Sequence, residues 1–370
     1  MIYLDYSATT PADKSVLETY VRDNEAFFGN PNSNHKLGLL AKEEIDRASK
    51  EILDVFGLSN HEVIFTSGAS EANNLAIKGV AYAKQMRGNH IITSNFEHSS
   101  VFSCFNFLAK QGFSVDVAPY DEFGFVDLTK LESLITDQTT LISIGAVNSE
   151  TGILQDLNSL SELIRKYPHV TFHSDLTQAV GKVNIDYNLV DMFSFSGHKI
   201  FGLKGVGALV VKSGTKLISQ IHGGKAQSVY RSGTPATPLI LSLRNSLVLA
   251  YKDFAKKFKL INELHDYLLS KVIDNPDIVV NSNKFSIPQI INLSFTKILS
   301  GLLHDQLSLR EIYISTATAC SSGNPLSLVV KKLTGSDELA ETSVRVSLSH
   351  LTKKEEIDAF IKACEEIISG

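Results

Sequence analysis

Val170-Thr-Phe-His173, Met192-Phe-Ser-Phe195 and Gly207-Ala-Leu-Val-Val211 are short runs rich in β-branched and aromatic residues. The same kind of run occurs upstream in Glu62-Val-Ile-Phe-Thr66, His90-Ile-Ile-Thr-Ser94 and Leu141-Ile-Ser-Ile144, and helical patterns lie between. Strands alternating with helices read as an α/β fold, a mostly parallel central sheet with crossover helices. In such sheets a ligand sits beyond the carboxyl ends of the strands. The polar residues that follow each run are therefore where chemistry is to be sought.

Downstream, Leu247, Ala250, Phe254, Phe258, Ile261, Leu264, Leu268 and Val272 step by three or four. That spacing predicts one long amphipathic helix ending before Asn275-Pro276 and bridging to a second domain. Beyond it, Gln289-Ile-Ile-Asn-Leu-Ser-Phe295, Ile312-Tyr-Ile-Ser315 and Val344-Arg-Val-Ser-Leu348 read as strands, with helices near 300–309, 324–333 and 353–368. This mixture implies a smaller α+β domain. Residues 13–252 are expected to form the large domain, and 1–12 with 253–370 the small one.

A chain of 370 residues, 43% hydrophobic, is long enough to bury two such cores. Its net charge of −5, with both signs interspersed, gives no footprint for gripping a phosphate backbone, so direct nucleic-acid binding is not expected. No apolar run is long enough to span a bilayer, and Met1-Ile-Tyr-Leu-Asp-Tyr6 lacks the basic and apolar parts of an export signal. A cytoplasmic protein without membrane binding is expected. The three cysteines, Cys104, Cys320 and Cys364, show no CxxC pairing, so thiol chemistry is expected of them, not a disulfide framework or a metal site.

Three segments follow predicted strands and carry complementary chemistry. Thr66-Ser-Gly-Ala-Ser-Glu71 opens a helical pattern, and its N–H groups, helix dipole and Ser70 hydroxyl suit a phosphate. In His173-Ser-Asp-Leu-Thr-Gln178, Asp175 suits a protonated pyridine nitrogen, and Gln178 can reach a phenolic oxygen. Ser194-Phe-Ser-Gly-His-Lys199 supplies an amine for an aldehyde, with Ser196 and His198 as phosphate donors. Each alone is ordinarily an N-cap, a strand-end acid or a solvated lysine. Their order at successive strand ends points to pyridoxal phosphate. Gly202-Leu-Lys-Gly-Val-Gly207 has the wrong glycine order for a dinucleotide fingerprint, and neither a P-loop nor an HExxH motif occurs.

With Tyr3-Leu-Asp-Tyr-Ser-Ala-Thr-Thr-Pro11, Phe28-Gly-Asn-Pro31, Phe65-Thr-Ser-Gly-Ala69, Glu97-His98, Arg231-Ser-Gly-Thr234 and Ala319-Cys320 added, the chain resembles one family along nearly its whole length. These are the cysteine desulfurases of the NifS and IscS type, fold-type I pyridoxal-phosphate enzymes related to class V aminotransferases. The resemblance implies Lys199 covalently bound to the cofactor, Asp175 at the pyridine nitrogen, Gln178 at the phenolic oxygen and His98 on the ring face. It implies phosphate contacts from Ala69, Ser70, Ser196 and His198. Thr234 is implied to reach the neighbouring subunit's phosphate in a homodimer, and Asn30 and Arg345 to bind the carboxylate of L-cysteine.

Cys320, in the small-residue stretch Ser315-Thr-Ala-Thr-Ala-Cys-Ser-Ser-Gly323, resembles the catalytic cysteine that takes the sulfur as a persulfide and passes it to an acceptor for iron–sulfur clusters, thiolated tRNA or thio-cofactors. Freed Lys199 is expected to remove the α-proton and His98 to be a candidate base for the thiol. The chain departs from the family at Val147-Asn-Ser-Glu150, where Ser149 stands for a cofactor-contacting asparagine, and at Lys225, Gln227 and Val229. A class V aminotransferase, a selenocysteine lyase and a non-catalytic desulfurase-like scaffold are the alternatives.

Overall fold

Residues 1–224, 228–316 and 326–369 are described by a computed structural model. Its strands are β1 (Ile2–Tyr3), β2 (His61–Thr66), β3 (His90–Ser94), β4 (Ser114–Ala118), β5 (Thr139–Ser143), β6 (Thr171–Asp175), β7 (Met192–Ser196), β8 (Gly207–Lys212), β9 (Ile278–Val280), β10 (Ile290–Phe295), β11 (Ile312–Tyr313) and β12 (Ser343–Ser347). Seven of them form one sheet in the order β2-β8-β7-β6-β5-β3-β4. Only β8 runs antiparallel to its neighbours in that sheet. Strands β3, β5 and β7 are buried at every residue, as a sheet covered by helices on both faces requires.

Side chains alternate between the two faces. Phe193 and Phe195 pack with Ile52, Phe56 and Leu243 under helices Lys36–Phe56 and Thr237–Tyr251. Met192, Leu141 and Leu209 pack with Ile77 and Phe105 under helices Ala69–Lys84 and Ser99–Lys110. The second face is thus the one along which Ser194 and Ser196 lie.

A separate apolar cluster joins Leu4 to Ile261, Leu264, Leu268, Leu293, Phe295, Val344 and Phe360 around the antiparallel sheet β12-β10-β9. The amino-terminal strap is laced into this part: β1 pairs with β11, Ser347 N–H donates to Leu4 O (2.7 Å), and Ser7 N–H donates to Ser347 Oγ (2.9 Å).

The structure corrects the single long helix expected from Leu247 to Val272. There are two helices, Thr237–Tyr251 and Phe254–Val272, separated at Asp253, which adopts the left-handed conformation (φ 56°). The apolar period runs through the break because both segments are helical. Leu243 and Leu247 serve the large-sheet core, whereas Ile261, Leu264 and Leu268 serve the other. Edge strand β4 and the short β9 were not anticipated either: Ser-Val-Asp-Val-Ala carries little of the continuous apolar character of its neighbours.

Candidate active site

The carboxyl ends of β2, β3, β5, β6 and β7 open onto a cavity of about 440 Å3 lined by Ser7, Ala69, Ser70, Glu97, His98, Ser149, Asp175, Gln178, Ser196, His198, Lys199 and Arg345 among others. Helix Ala69–Lys84 begins at this cavity after Gly68, with no side chain capping its first turn. By contrast, Asp13, His35, His98, Asp127 and Asp156 cap their own helices. An uncapped start leaves backbone N–H donors and the positive end of the dipole for a ligand. The loop packs tightly on the sheet: a Cβ at Gly207 would lie 2.6 Å from Phe195 O and 2.7 Å from Gly68 Cα, so only glycine fits there.

Asp175 ends β6 and is held from two directions. Its Oδ1 accepts from Thr177 N–H (2.9 Å), and its Oδ2 accepts from Asn73 Nδ2 (2.7 Å). Asn73 lies on helix Ala69–Lys84, fully buried, and also donates to Ser100 Oγ (2.9 Å). Ser100 Oγ in turn lies 2.8 Å from His98 Nδ1, which caps helix Ser99–Lys110. Burial holds the His98 imidazole below its ordinary pKa, with Lys199 acting in the same sense and Asp175 against it.

Lys199 Nζ donates to Ser7 O (2.5 Å) and Ala8 O (2.8 Å), so the strap sets the amine's position. Gln178 Nε2 donates to Ser7 O (2.9 Å), while Gln178 Oε1 accepts from Lys182 Nζ. Burial pushes Lys182 well down from its ordinary pKa, with Lys199 and Arg345 adding to the effect. Ser196 is buried with its Oγ 3.5 Å from Val206 O, and His198 Nδ1 lies 3.1 Å from Thr9 Oγ1. Burial, then the charges of Lys199, Lys204 and Lys182, bring His198 down to about 4, so it is neutral at pH 7. Glu97 accepts from Gly145 N–H (2.8 Å) and pairs with Ser94 Oγ; burial pushes its carboxyl up to about 7.

Arg345, on β12, reaches the same cavity from the small sheet. Its Nη1 donates to Ser149 O (2.9 Å), and its Nη2 donates to Asp5 Oδ1 (2.8 Å) and Ser315 Oγ (3.0 Å). Its Nε–H is buried without a partner among the described residues. Asn30 is not among the lining residues: it is exposed, with its Oδ1 accepting from Asn32 N–H (3.0 Å). Thr234 is likewise exposed and does not line the cavity of its own chain. Cys320, Lys225 and Gln227 lie outside the described residues. Cys104 and Cys364 are buried, and burial raises both thiols, Cys104 to about 11. A second cavity, of about 80 Å3, shares Ser7 and Lys199 with the first and is lined by apolar residues such as Phe254, Phe258 and Leu348 together with polar ones such as Asp13, Lys257 and His350.

The residues present suit pyridoxal phosphate. One cavity combines an uncapped helix start for a phosphate, a carboxylate for a ring nitrogen, an amide donor and an amine. It also holds Thr177 Oγ1, a buried hydroxyl with no partner among the described residues. Sequence reading missed Asn73, Thr177, Lys182 and the Ser7 and Ala8 carbonyls. For Asn73 a signal was available: it lies one helical turn beyond Ala69, so it shares the face that meets the strand ends.

Residues 2–360 match the family described as class-V aminotransferase. Cysteine desulfurase IscS of Pectobacterium carotovorum subsp. carotovorum (strain PC1) is 39% identical over 376 residues, covering 99% of this chain and 92% of the relative. Cysteine desulfurase IscS of Dictyoglomus turgidum (strain DSM 6724 / Z-1310) is 38% identical, with 99% and 94% covered. Among solved structures, a NifS-like protein superposes with a TM-score of 0.92 at 32% identity, covering 100% of this chain and 99% of its own. The NifS-like protein from Rickettsia africae ESF-5 gives 0.89 at 30% identity, with both chains covered in full.

Proposed function

This chain belongs to the class-V aminotransferase family and is a pyridoxal-phosphate-dependent cysteine desulfurase, and on that footing we propose how its residues divide the work. When bound, pyridoxal phosphate supplies an aldehyde that takes up amines and a ring that accepts electrons when the substrate α-proton leaves. Ala69 and Ser70 would hold the phosphate through N–H groups and the Ser70 hydroxyl, aided by Ser196 and His198. Asp175 would face the ring nitrogen, Gln178 Nε2 and Ser149 would face ring oxygens, and His98 would cover the ring. Lys199 Nζ would hold the aldehyde carbon and, once released, move the α-proton. The observation that carries this assignment is that the uncapped helix start, Asp175 and Lys199 Nζ all line one cavity.

Arg345 is assigned to the substrate carboxylate, supported by its place in the cavity wall and its unpaired Nε–H. Cys320 is assigned as the sulfur acceptor: L-cysteine and the Cys320 thiol give L-alanine and a Cys320 persulfide, with atoms and electrons in balance. Burial of both other cysteines supports the choice, because a thiol held at high pKa yields little nucleophilic thiolate. The persulfide then passes to a sulfur acceptor serving iron–sulfur clusters, thiolated tRNA or thio-cofactors. Asn30 and Thr234 both lie away from their own cavity, so we assign them to the neighbouring subunit's site in a homodimer.

Domains of 13–252 and of 1–12 with 253–370 are supported by the cluster that joins Leu4 to residues 261–364. We place the enzyme in the cytoplasm; no helix among the described residues is long and apolar enough to cross a membrane. The test is release of alanine and sulfide from L-cysteine by the cofactor-loaded protein with a thiol reductant, beside Cys320→Ser and Lys199→Ala. Loss of both products in each variant is expected. Equal sulfide release by Cys320→Ser would remove the persulfide assignment.

A further inference from the structure

Asn73 Nδ2 donates to both Asp175 Oδ2 (2.7 Å) and Ser100 Oγ (2.9 Å). The amide's orientation is fixed by its neighbour, since the reverse would set Asn73 Oδ1 against the Asp175 carboxylate. Asn73 Oδ1 is left buried without a partner among the described residues, so the amide is held through its two N–H bonds alone. Ser100 Oγ, accepting from Asn73, has its own hydrogen to give, and His98 Nδ1 lies 2.8 Å away. The Ser100 backbone N–H points at the same nitrogen, 3.2 Å away. Two donors therefore converge on Nδ1, which must present a lone pair.

We propose that Asn73 and Ser100 are positioning residues that lock His98 as the tautomer with hydrogen on Nε2, and that they tie this state to Asp175. The proposal rests on the roles assigned above to His98 and Asp175. A hydrogen on Nδ1 would meet the Ser100 N–H head-on and force Ser100 Oγ to accept twice. Protonating Nδ1 meets the same obstacle, in agreement with the downward push that burial gives this imidazole. The chemical consequence is directional. With hydrogen already on Nε2, His98 donates from that nitrogen and cannot take a thiol proton there. His98 is thereby set as a hydrogen-bond donor through Nε2, and the base expected for the persulfide-forming thiol is another group.

The test uses the holoenzyme labelled with [15N]histidine, read at pH 7 by long-range nitrogen–proton correlation. His98 is picked out from the eleven histidines by its loss in His98→Asn. Expected are an unprotonated Nδ1 and a protonated Nε2 in the parent and in Ser100→Thr, which keeps the hydroxyl. Ser100→Ala and Asn73→Ala weaken the side-chain part of the lock but keep the residue 100 backbone N–H on Nδ1, so they should move the two nitrogens part of the way toward averaged values, with kcat/KM about 5- to 20-fold lower for Ser100→Ala. Asn73→Ala should in addition shift the pH titration of the cofactor absorption band, because Asp175 loses one of its two donors. A protonated Nδ1 in the parent, or a tautomer indifferent to both alanine variants, overturns the proposal. Alanine formation is measured on the same parent sample. Turnover with a protonated Nδ1 refutes the lock alone, whereas an Nε2–H tautomer without turnover upholds the lock and refutes the assigned chemistry.

Discussion

Replacing Arg345 by methionine should cost stability even without substrate, because three of its donor contacts are internal: Ser149 O at 2.9 Å, Asp5 Oδ1 at 2.8 Å and Ser315 Oγ at 3.0 Å. The guanidinium side chain is 3% exposed and the Asp5 carboxylate 16%, so the pair is largely withdrawn from water. Removing one partner of a buried pair strands the other charge and costs roughly 3–5 kcal/mol; the residual exposure of Asp5 places this case at about 3 kcal/mol. Asp5→Asn removes the stranded charge, so the double variant should be about 1–2 kcal/mol more stable than the sum of the single changes predicts. Urea unfolding of the four proteins, followed by circular dichroism, measures both numbers. Arg345→Lys should restore part of the stability but not the paired hydrogen-bond geometry, leaving kcat/KM for L-cysteine at least about 100-fold down, near 2.7 kcal/mol. A cost below about 1 kcal/mol for Arg345→Met, or strict additivity with Asp5→Asn, would refute the view that the strap and β12 are joined through this pair.

Gly207→Ala should cost about 3 kcal/mol and lower cofactor retention, since the new Cβ meets Phe195 O on β7 and Gly68 Cα before helix Ala69–Lys84, backbone atoms that cannot both stay in place; a melting curve and the absorbance of the bound cofactor read the two effects. Glu97 has its pKa raised from 4.5 to about 7, so the folded protein keeps a proton that the unfolded chain releases, and this group's contribution to stability is lost as pH rises through that interval. The difference in Tm between Glu97→Gln and the parent should accordingly become more favourable to the variant from pH 5 to pH 8, and an unchanged difference would discard the assignment. Iodoacetamide should leave Cys104 and Cys364 unmodified in the native protein at pH 8, as peptide mapping would show, because both thiols are buried and raised.

Much of this site was legible in the sequence because the α/β rule directs attention to strand ends: Asp175 ends β6, and Ala69 and Lys199 stand three residues beyond β2 and β7. What escaped depends on partners distant along the chain. Asn73 matters through Ser100, 27 residues on, and Asp175, 102 residues on; its spacing from Ala69 marks its face of the helix but not these partners, and the adjacent Asn74 merely bonds back to Ser70 O. The carbonyls of Ser7 and Ala8 have no residue-type signature at all, yet they hold the Lys199 amine. The helix break at Asp253 was hidden because a hydrophobic period reports helix, not which of two cores each turn faces. Asn30 was expected in the cavity from its motif, whereas exposure follows from a turn closed on Asn32.

The strap that carries Ser7 and Ala8 is bound to β11 and to Ser347, more than 300 residues later. During synthesis the large sheet, complete by Lys212, can fold as it leaves the ribosome, while residues 2–5 still lack their partners on β11 and β12. The strap is therefore made before the strands that hold it and docks after them, and with it comes the Asp5 contact for Arg345. Nascent chains that stop short of about residue 350 should carry a formed sheet but a strap without its β11 and β12 partners.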